Sequence, residues 1–125
     1  MKKWLNSNKN KSRVSHAVGM QAEQRAKEYL QARGLTLITQ NFRCKVGEID
    51  LIMQDAEHLV FVEVKYRSHA KYGAAIEYFT AQKRRKVENT IYHYLQRVGL
   101  NSHTANYRLD LVAIDGEQYQ WIKAI

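Results

Sequence analysis

The sequence predicts a single mixed α/β domain, and three patterns carry that reading. Apolar residues recur at helical spacing in two segments, each closed by a glycine. Between the two lie strand-like runs with period-two alternation. A further apolar run follows the second helix. The 125 residues fit one domain of about 100–150 residues, large enough to bury a core without disulfides.

Residues 1–14 read as a flexible basic arm, with Lys2, Lys3, Lys9, Lys11 and Arg13 set among Asn and Ser, ahead of a domain spanning 15–125. Ser15 is the N-cap expected of a helix running to Arg33. Ala22, Ala26, Tyr29 and Leu30 form its apolar stripe, and Gly34 its left-handed C-terminal cap. Leu35 to Phe42 reads as a strand. Gly47 breaks the pattern before Glu48 to Met53, which alternates. Gln54 to His58 is the turn, and Leu59 to Tyr66 is the most strand-like segment of all. Ser68 to Tyr78 reads as a mobile loop or a short helix. Thr80 caps a helix from Ala81 to about Arg97, with Gly99 as its stop and Val87, Ile91, Tyr94, Leu95 and Val98 on its buried side. Strands from Tyr107 to Ile114 and, past Gly116, from Tyr119 to Ile122 complete the order α-β-β-β-α-β-β.

Composition narrows the function classes. Twenty Lys and Arg against twelve Asp and Glu leave a net charge of +8, which attracts polyanions. Nucleic acid is the leading partner and an anionic membrane surface its competitor. No apolar run approaches the roughly 20 residues needed to span a bilayer. The start, Met1-Lys2-Lys3-Trp4-Leu5, is not followed by the apolar stretch of a signal peptide. One cysteine, Cys44, allows no intrachain disulfide and has no partner marking it as a nucleophile. A cytoplasmic setting is expected. The histidines show no metal-ligand spacing, and there is no glycine-rich phosphate loop or zinc signature.

The chemistry lies in charges placed within strands that are otherwise apolar. In the strand from Leu59, Val60, Val62, Val64 and Tyr66 suit a core. On the other face Leu59 and Phe61 give way to Glu63, Lys65 and Arg67. In the preceding strand Ile49, Leu51 and Met53 share one face, and Glu48, Asp50 and Ile52 the other. Pairing Gln54 with Leu59 sets Asp50 opposite Glu63 and Glu48 opposite Lys65, and gathers the apolar residues on the opposite side. A one-residue slip would mix charge with core. Ala56-Glu57 is a poor two-residue turn, so a wider loop is expected. Three carboxylates and a lysine then share one patch. Such acids repel unless a cation compensates, and hard oxygen ligands suit Mg²⁺ or Mn²⁺. Asp50 and Glu63 as ligands, with Lys65 orienting or deprotonating a water, make a complete hydrolytic set for a phosphodiester. A Glu48–Lys65 ion pair between strands is the structural alternative.

These residues also resemble the D…(D/E)-x-K signature of the restriction-endonuclease-like superfamily, which includes archaeal Holliday-junction resolvases. Ile49 stands where that signature has proline. The closer resemblance is to the YraN family of small bacterial predicted endonucleases. It runs through Gly19-Met20-Gln21-Ala22-Glu23, Asn41-Phe42-Arg43, Gly47-Glu48-Ile49-Asp50-Leu51-Ile52 and Phe61-Val62-Glu63-Val64-Lys65-Tyr66-Arg67. It continues in Lys83-Arg84-Arg85, Arg108-Leu109-Asp110-Leu111-Val112 and Trp121-Ile122, covering about residues 15–125. The resemblance implies a restriction-endonuclease-like fold, a mixed central sheet flanked by helices. It implies Asp50 and Glu63 as metal ligands with the Val64 carbonyl as a third, Lys65 as the catalytic lysine and Glu23 as an additional acid.

The expected activity is hydrolysis of structured or damaged nucleic acid, with DNA the expected partner. A non-catalytic nucleic-acid-binding module acting through a protein partner is the alternative, and a protein-docking surface a third reading. A homodimer would supply the two sites needed to cut two strands symmetrically. Lys83, Arg84, Arg85 and Lys86 crowd the first turns of a helix, where positive charge opposes the dipole; this favours a phosphate-binding role. Arg43, Lys45 and Arg67 are further candidates for the nucleic-acid backbone. Tyr72 and Tyr78 are candidates for base stacking.

Overall fold

The computed structural model describes the backbone of residues 2–67 and 75–125, and the side chains of residues 17–67 and 76–125. The element order is α1 (Lys2–Gln31), β1 (Thr36–Cys44), β2 (Gly47–Asp55), β3 (His58–Arg67), a 3₁₀ turn (Ala75–Tyr78), α2 (Ala81–Arg97), β4 (Tyr107–Asp115) and β5 (Gln118–Ile122). This is the predicted order. The five strands form one sheet in sequence order, antiparallel except for the parallel β3–β4 pair that α2 bridges. A mixed sheet with a helix on each face is the architecture expected of a restriction-endonuclease-like fold.

Two apolar layers hold the sandwich. Under α1, Ala22, Ala26 and Leu30 pack on Leu51, Met53, Val60, Val62, Val112 and Ile114. Under α2, Val87, Ile91, Tyr94 and Leu95 pack on Ile49, Ile52, Leu59, Phe61 and Leu109. Both helices end in the same six-residue hydrogen-bond pattern. Leu35 N–H donates to Leu30 O and Leu100 N–H to Leu95 O, with Gly34 (φ 99°) and Gly99 (φ 79°) in the left-handed position.

Several expectations are corrected. Helix α1 begins at Lys2, so Ser15 is not an N-cap. No proline or glycine interrupts residues 2–18, and the helix of the apolar stripe continues through them. The Ala56-Glu57 turn is tight, because Asp55 pairs directly with His58. Ala56 takes φ 53°, and Gln54 Nε2 donates to its carbonyl at 2.8 Å. Ile49 joins the layer beneath α2 instead of sharing one with Leu51 and Met53. Val98 and Tyr66, expected inside, are exposed at the ends of their elements. Ile38 is a bulge on β1, between the Leu37↔Met53 and Thr39↔Ile52 pairs, and stands in solvent. Residues 68–74, including His69 and Tyr72, lie outside the described residues.

A buried polar network ties down the C-terminal segment. Asp110, fully buried, accepts Arg108 Nε at 3.1 and 3.2 Å, Trp121 Nε1 at 2.9 Å and Ala124 N–H at 2.9 Å. Arg108 reaches on to Asp55 at 2.8 Å, which locks the β2–β3 turn to β4. A left-handed alanine costs about 1–2 kcal/mol relative to a favoured conformation. Ala56→Gly should therefore stabilise the protein by about 0.5–1 kcal/mol, seen as a higher urea midpoint with unchanged slope.

Candidate functional site

The site forms where β2 and β3 part. Their ladder has the predicted Gln54↔Leu59 register but stops at Leu51↔Val62, one pair short of Asp50 and Glu63. Beyond that point side chains replace backbone partners. The Asp50 carboxylate accepts the Val64 N–H at 2.8 Å, and the Asp50 backbone favours the charged form of the Glu63 carboxylate. The predicted juxtaposition of these two acids is present, although they meet across a gap and not across a ladder.

Asp50 is reached from both helical layers. From α1, the Glu23 carboxyl comes close enough to Asp50 for each to shift the other, and the Asn41 side chain favours the charged form of Glu23. Asn41 sits at φ 53°, a conformation that Asn tolerates better than most residues. From the α2 side, Asp50 and Glu63 line a cavity of about 560 Å³ shared with Arg43, Glu48, Gly47, Lys83, Lys86 and Thr90. Gly47 makes this wall close-fitting: a Cβ there would lie 2.6 Å from Thr90 Oγ1. Thr90 is fully buried, and its hydroxyl donates to Lys86 O at 2.9 Å.

The electrostatics follow from crowding acids out of water. Burial first, then the neighbouring Asp50 charge, pushes the Glu63 carboxyl up to about 8. Burial and Asp50 likewise raise Glu23 to about 7. Burial also raises Asp50, with the Val64 N–H the chief opposing influence. Lys83 acts on both Asp50 and Glu63, favouring their charged forms. Glu63 is only 8 % exposed, and its Oε1 has no hydrogen-bond partner.

The other predicted residues are dispersed. The Lys65 ammonium lies 4.8 Å from the Tyr78 ring centroid, in a small cavity with Glu63, Phe79 and Lys83. Glu48 does not face Lys65; it pairs with Arg43 across β1–β2 at 3.1 Å. Arg67 is held by Asp115 at 3.3 Å and lies over Tyr78. Arg84 donates to the Ile125 carbonyl at 2.8 Å and lies 3.7 Å from Glu88. Lys45 and Arg85 are exposed and line neither cavity. Asn41 and Thr90 are the neighbours that the sequence reading missed. Of the two, only Asn41 carried a signal, an asparagine inside an otherwise strand-like run.

A family model described as "Uncharacterised protein family UPF0102" matches residues 22–114. This chain belongs to the UPF0102 family. A UPF0102 protein of Aeromonas hydrophila subsp. hydrophila is 44% identical over 105 residues, covering 84% of this chain and 81% of the relative. One of Aliivibrio salmonicida is 47% identical over 100 residues, covering 78% and 81%. One of Colwellia psychrerythraea is 41% identical over 124 residues, covering 96% of each. The likeness to YraN is thereby shown, UPF0102 and YraN naming one family. The UPF0102 match takes in Glu23, Asp50, Glu63, Lys65 and Lys83.

The donor set fits a hard divalent cation. It offers two carboxylates lining one cavity, one of them with an oxygen lacking any hydrogen-bond partner. Among the described residues no three of His, Cys, Asp and Glu form a ready cage. A Mg²⁺-type ion needs none, taking one or two carboxylates and completing its shell with water and phosphate.

Two predictions follow from this geometry. Gly47→Ala should destabilise by about 1–3 kcal/mol through overpacking, and Thr90→Ala should recover part of that loss in denaturant titrations. On folding, Glu23 and Glu63 retain protons that the unfolded chain, with an ordinary value of 4.5, has lost. Their stabilisation is complete below about pH 4.5 and disappears as pH rises through about 7–8. In chelator, Tm should fall between about pH 5 and about pH 9, and Glu63→Gln should flatten that slope.

Proposed function

We propose that this protein is a metal-dependent nuclease that hydrolyses phosphodiester bonds in structured or damaged DNA. The observation that carries the reading is the Asp50–Glu63 pair in the gap between β2 and β3, with Glu63 Oε1 buried and unpartnered. Asp50, Glu63 and the Val64 carbonyl would hold Mg²⁺ or Mn²⁺. Such an ion, when bound, polarises a phosphoryl oxygen and lowers the pKa of a coordinated water.

The chain's own residues do the rest. The Val64 N–H fixes the Asp50 carboxylate, and burial holds Glu63 beside it, so both acids are in place before substrate arrives. Burial and the neighbouring Asp50 charge push Glu23 toward its neutral form, and a cation at the pair would oppose that shift. Lys65, two residues beyond Glu63 on β3, orients or deprotonates the attacking water on leaving the Tyr78 ring. Arg43, Lys45 and the exposed basic residues of α2 attract the sugar-phosphate backbone without reading sequence.

The resting place of Lys65 on Tyr78 favours a second reading, a nucleic-acid-binding module that keeps the fold and acts through a protein partner. The distinguishing experiment incubates labelled duplex, single strand, flap, four-way junction and structured RNA with Mg²⁺, Mn²⁺ or chelator. Cleavage should require metal, should be abolished in Asp50→Ala, and should fall about 10²–10³-fold in Lys65→Ala. Salt-sensitive binding by wild type without cutting under any metal would establish the second reading instead.

A further inference from the structure

The Lys83-Arg84-Arg85-Lys86 run places positive charge at the positive end of the α2 dipole, and the fold divides its members among different tasks. Arg84 is engaged by the Ile125 carbonyl and Glu88. Arg85 is exposed and lines neither cavity. Lys86 borders the Gly47 wall. Of the four, only Lys83 lines both the main cavity, with Asp50 and Glu63, and the small one that joins Glu63 to Lys65 and Tyr78.

The position of Lys83 is set by the backbone. Its N–H donates to the capping hydroxyl of Thr80 at 3.2 Å, which places it in the first turn of α2. Four and seven residues on, buried Val87 and Thr90 occupy the same helix face. Lys83 therefore continues the line of Val87 and Thr90 toward the start of α2, where its side chain is exposed at the rim of the cavity. It makes no ion pair with Asp50 or Glu63 among the described residues. Lys83 and the two acids thus line one cavity with no ion pair between them. A group suited to such a space is anionic toward the lysine and bridged by a cation toward the acids, as a phosphodiester is.

We propose that Lys83 is the phosphate-binding residue of this cleft, contacting a non-bridging oxygen of the phosphodiester held over the Asp50–Glu63 pair. The assignment rests on the nuclease reading and divides the work between two lysines. Lys65 approaches Glu63 from the Tyr78 side, and Lys83 approaches from α2.

Binding measured in chelator tests this without relying on turnover. Fluorescence anisotropy would follow short labelled single-stranded and duplex DNA with wild type, Lys83→Gln, Lys83→Arg and Arg85→Gln. Lys83→Gln should weaken binding about five- to tenfold and reduce the salt slope by roughly one. Lys83→Arg, which keeps the charge, should bind like wild type. Arg85→Gln, with the same charge change in the same helix, should lose less than about twofold. Equal losses in Lys83→Gln and Arg85→Gln, or no loss in Lys83→Gln, overturn the assignment; metal-dependent cleavage by wild type would then leave the nuclease reading standing. A loss specific to Lys83, without cleavage under any metal, keeps the phosphate site and removes the nuclease reading. Wild type that binds neither DNA overturns both.

Discussion

Where β2 and β3 part beyond Leu51 and Val62, the Asp50 carboxylate takes the Val64 N–H at 2.8 Å. A half-buried amide left without a partner would cost about 1–3 kcal/mol, so strands do not separate in a sheet interior unless something replaces the ladder. Here a side chain replaces it. The same bond holds the Asp50 carboxylate in the gap beside Glu63. Asp50 at that opening has Glu23 of α1 close by and lines the cavity bordered by α2. The low exposure of Glu63 and the upward push on all three carboxyls follow from the same geometry.

Two buried acids show how differently one chain can treat the same functional group. Asp110 is fully enclosed, and donors from Arg108, Trp121 and Ala124 reach its oxygens. It behaves as a structural anion, satisfied by its surroundings and joined through Arg108 to the β2–β3 turn. Glu63 is nearly as enclosed, yet one oxygen has no donor. Native folds leave few buried polar atoms unsatisfied, and this one belongs to a residue that lines a cavity beside a second carboxylate. The contrast separates the acid that holds the fold from the acid that the fold holds ready.

Much of this was legible in the sequence because it rests on short-range periodicity. The strand alternation carried the Gln54↔Leu59 register, and with it the meeting of Asp50 and Glu63. Thr80, Gly34 and Gly99 marked helix ends by their own conformational preferences. What escaped was set by tertiary contact. Ala56 accepts a left-handed turn because Arg108 and Gln54 hold the residues around it, and no local pattern announces that. The position of Ile49 beneath α2 depends on a break in alternation beside Asp50. The basic run on α2 read as one phosphate-binding cluster, whereas the C-terminal segment claims Arg84 and the helix phase sends Arg85 outward. Glu48 found Arg43 and not Lys65, since its nearest strand neighbour is β1 once β3 has turned away.

The tight Ala56 turn has a bearing on the order of assembly. Asp50 and Val64 are 14 positions apart and belong to one hairpin, whose short loop closes with little loss of chain entropy and on a timescale of microseconds. The parallel β3–β4 pairing must wait for α2 to form and cross over, a far longer closure. The contacts that set Asp50 beside Val64 are therefore local in the chain, whereas the placement of Lys83 and Lys86 at the same cavity depends on the long β3–β4 crossover.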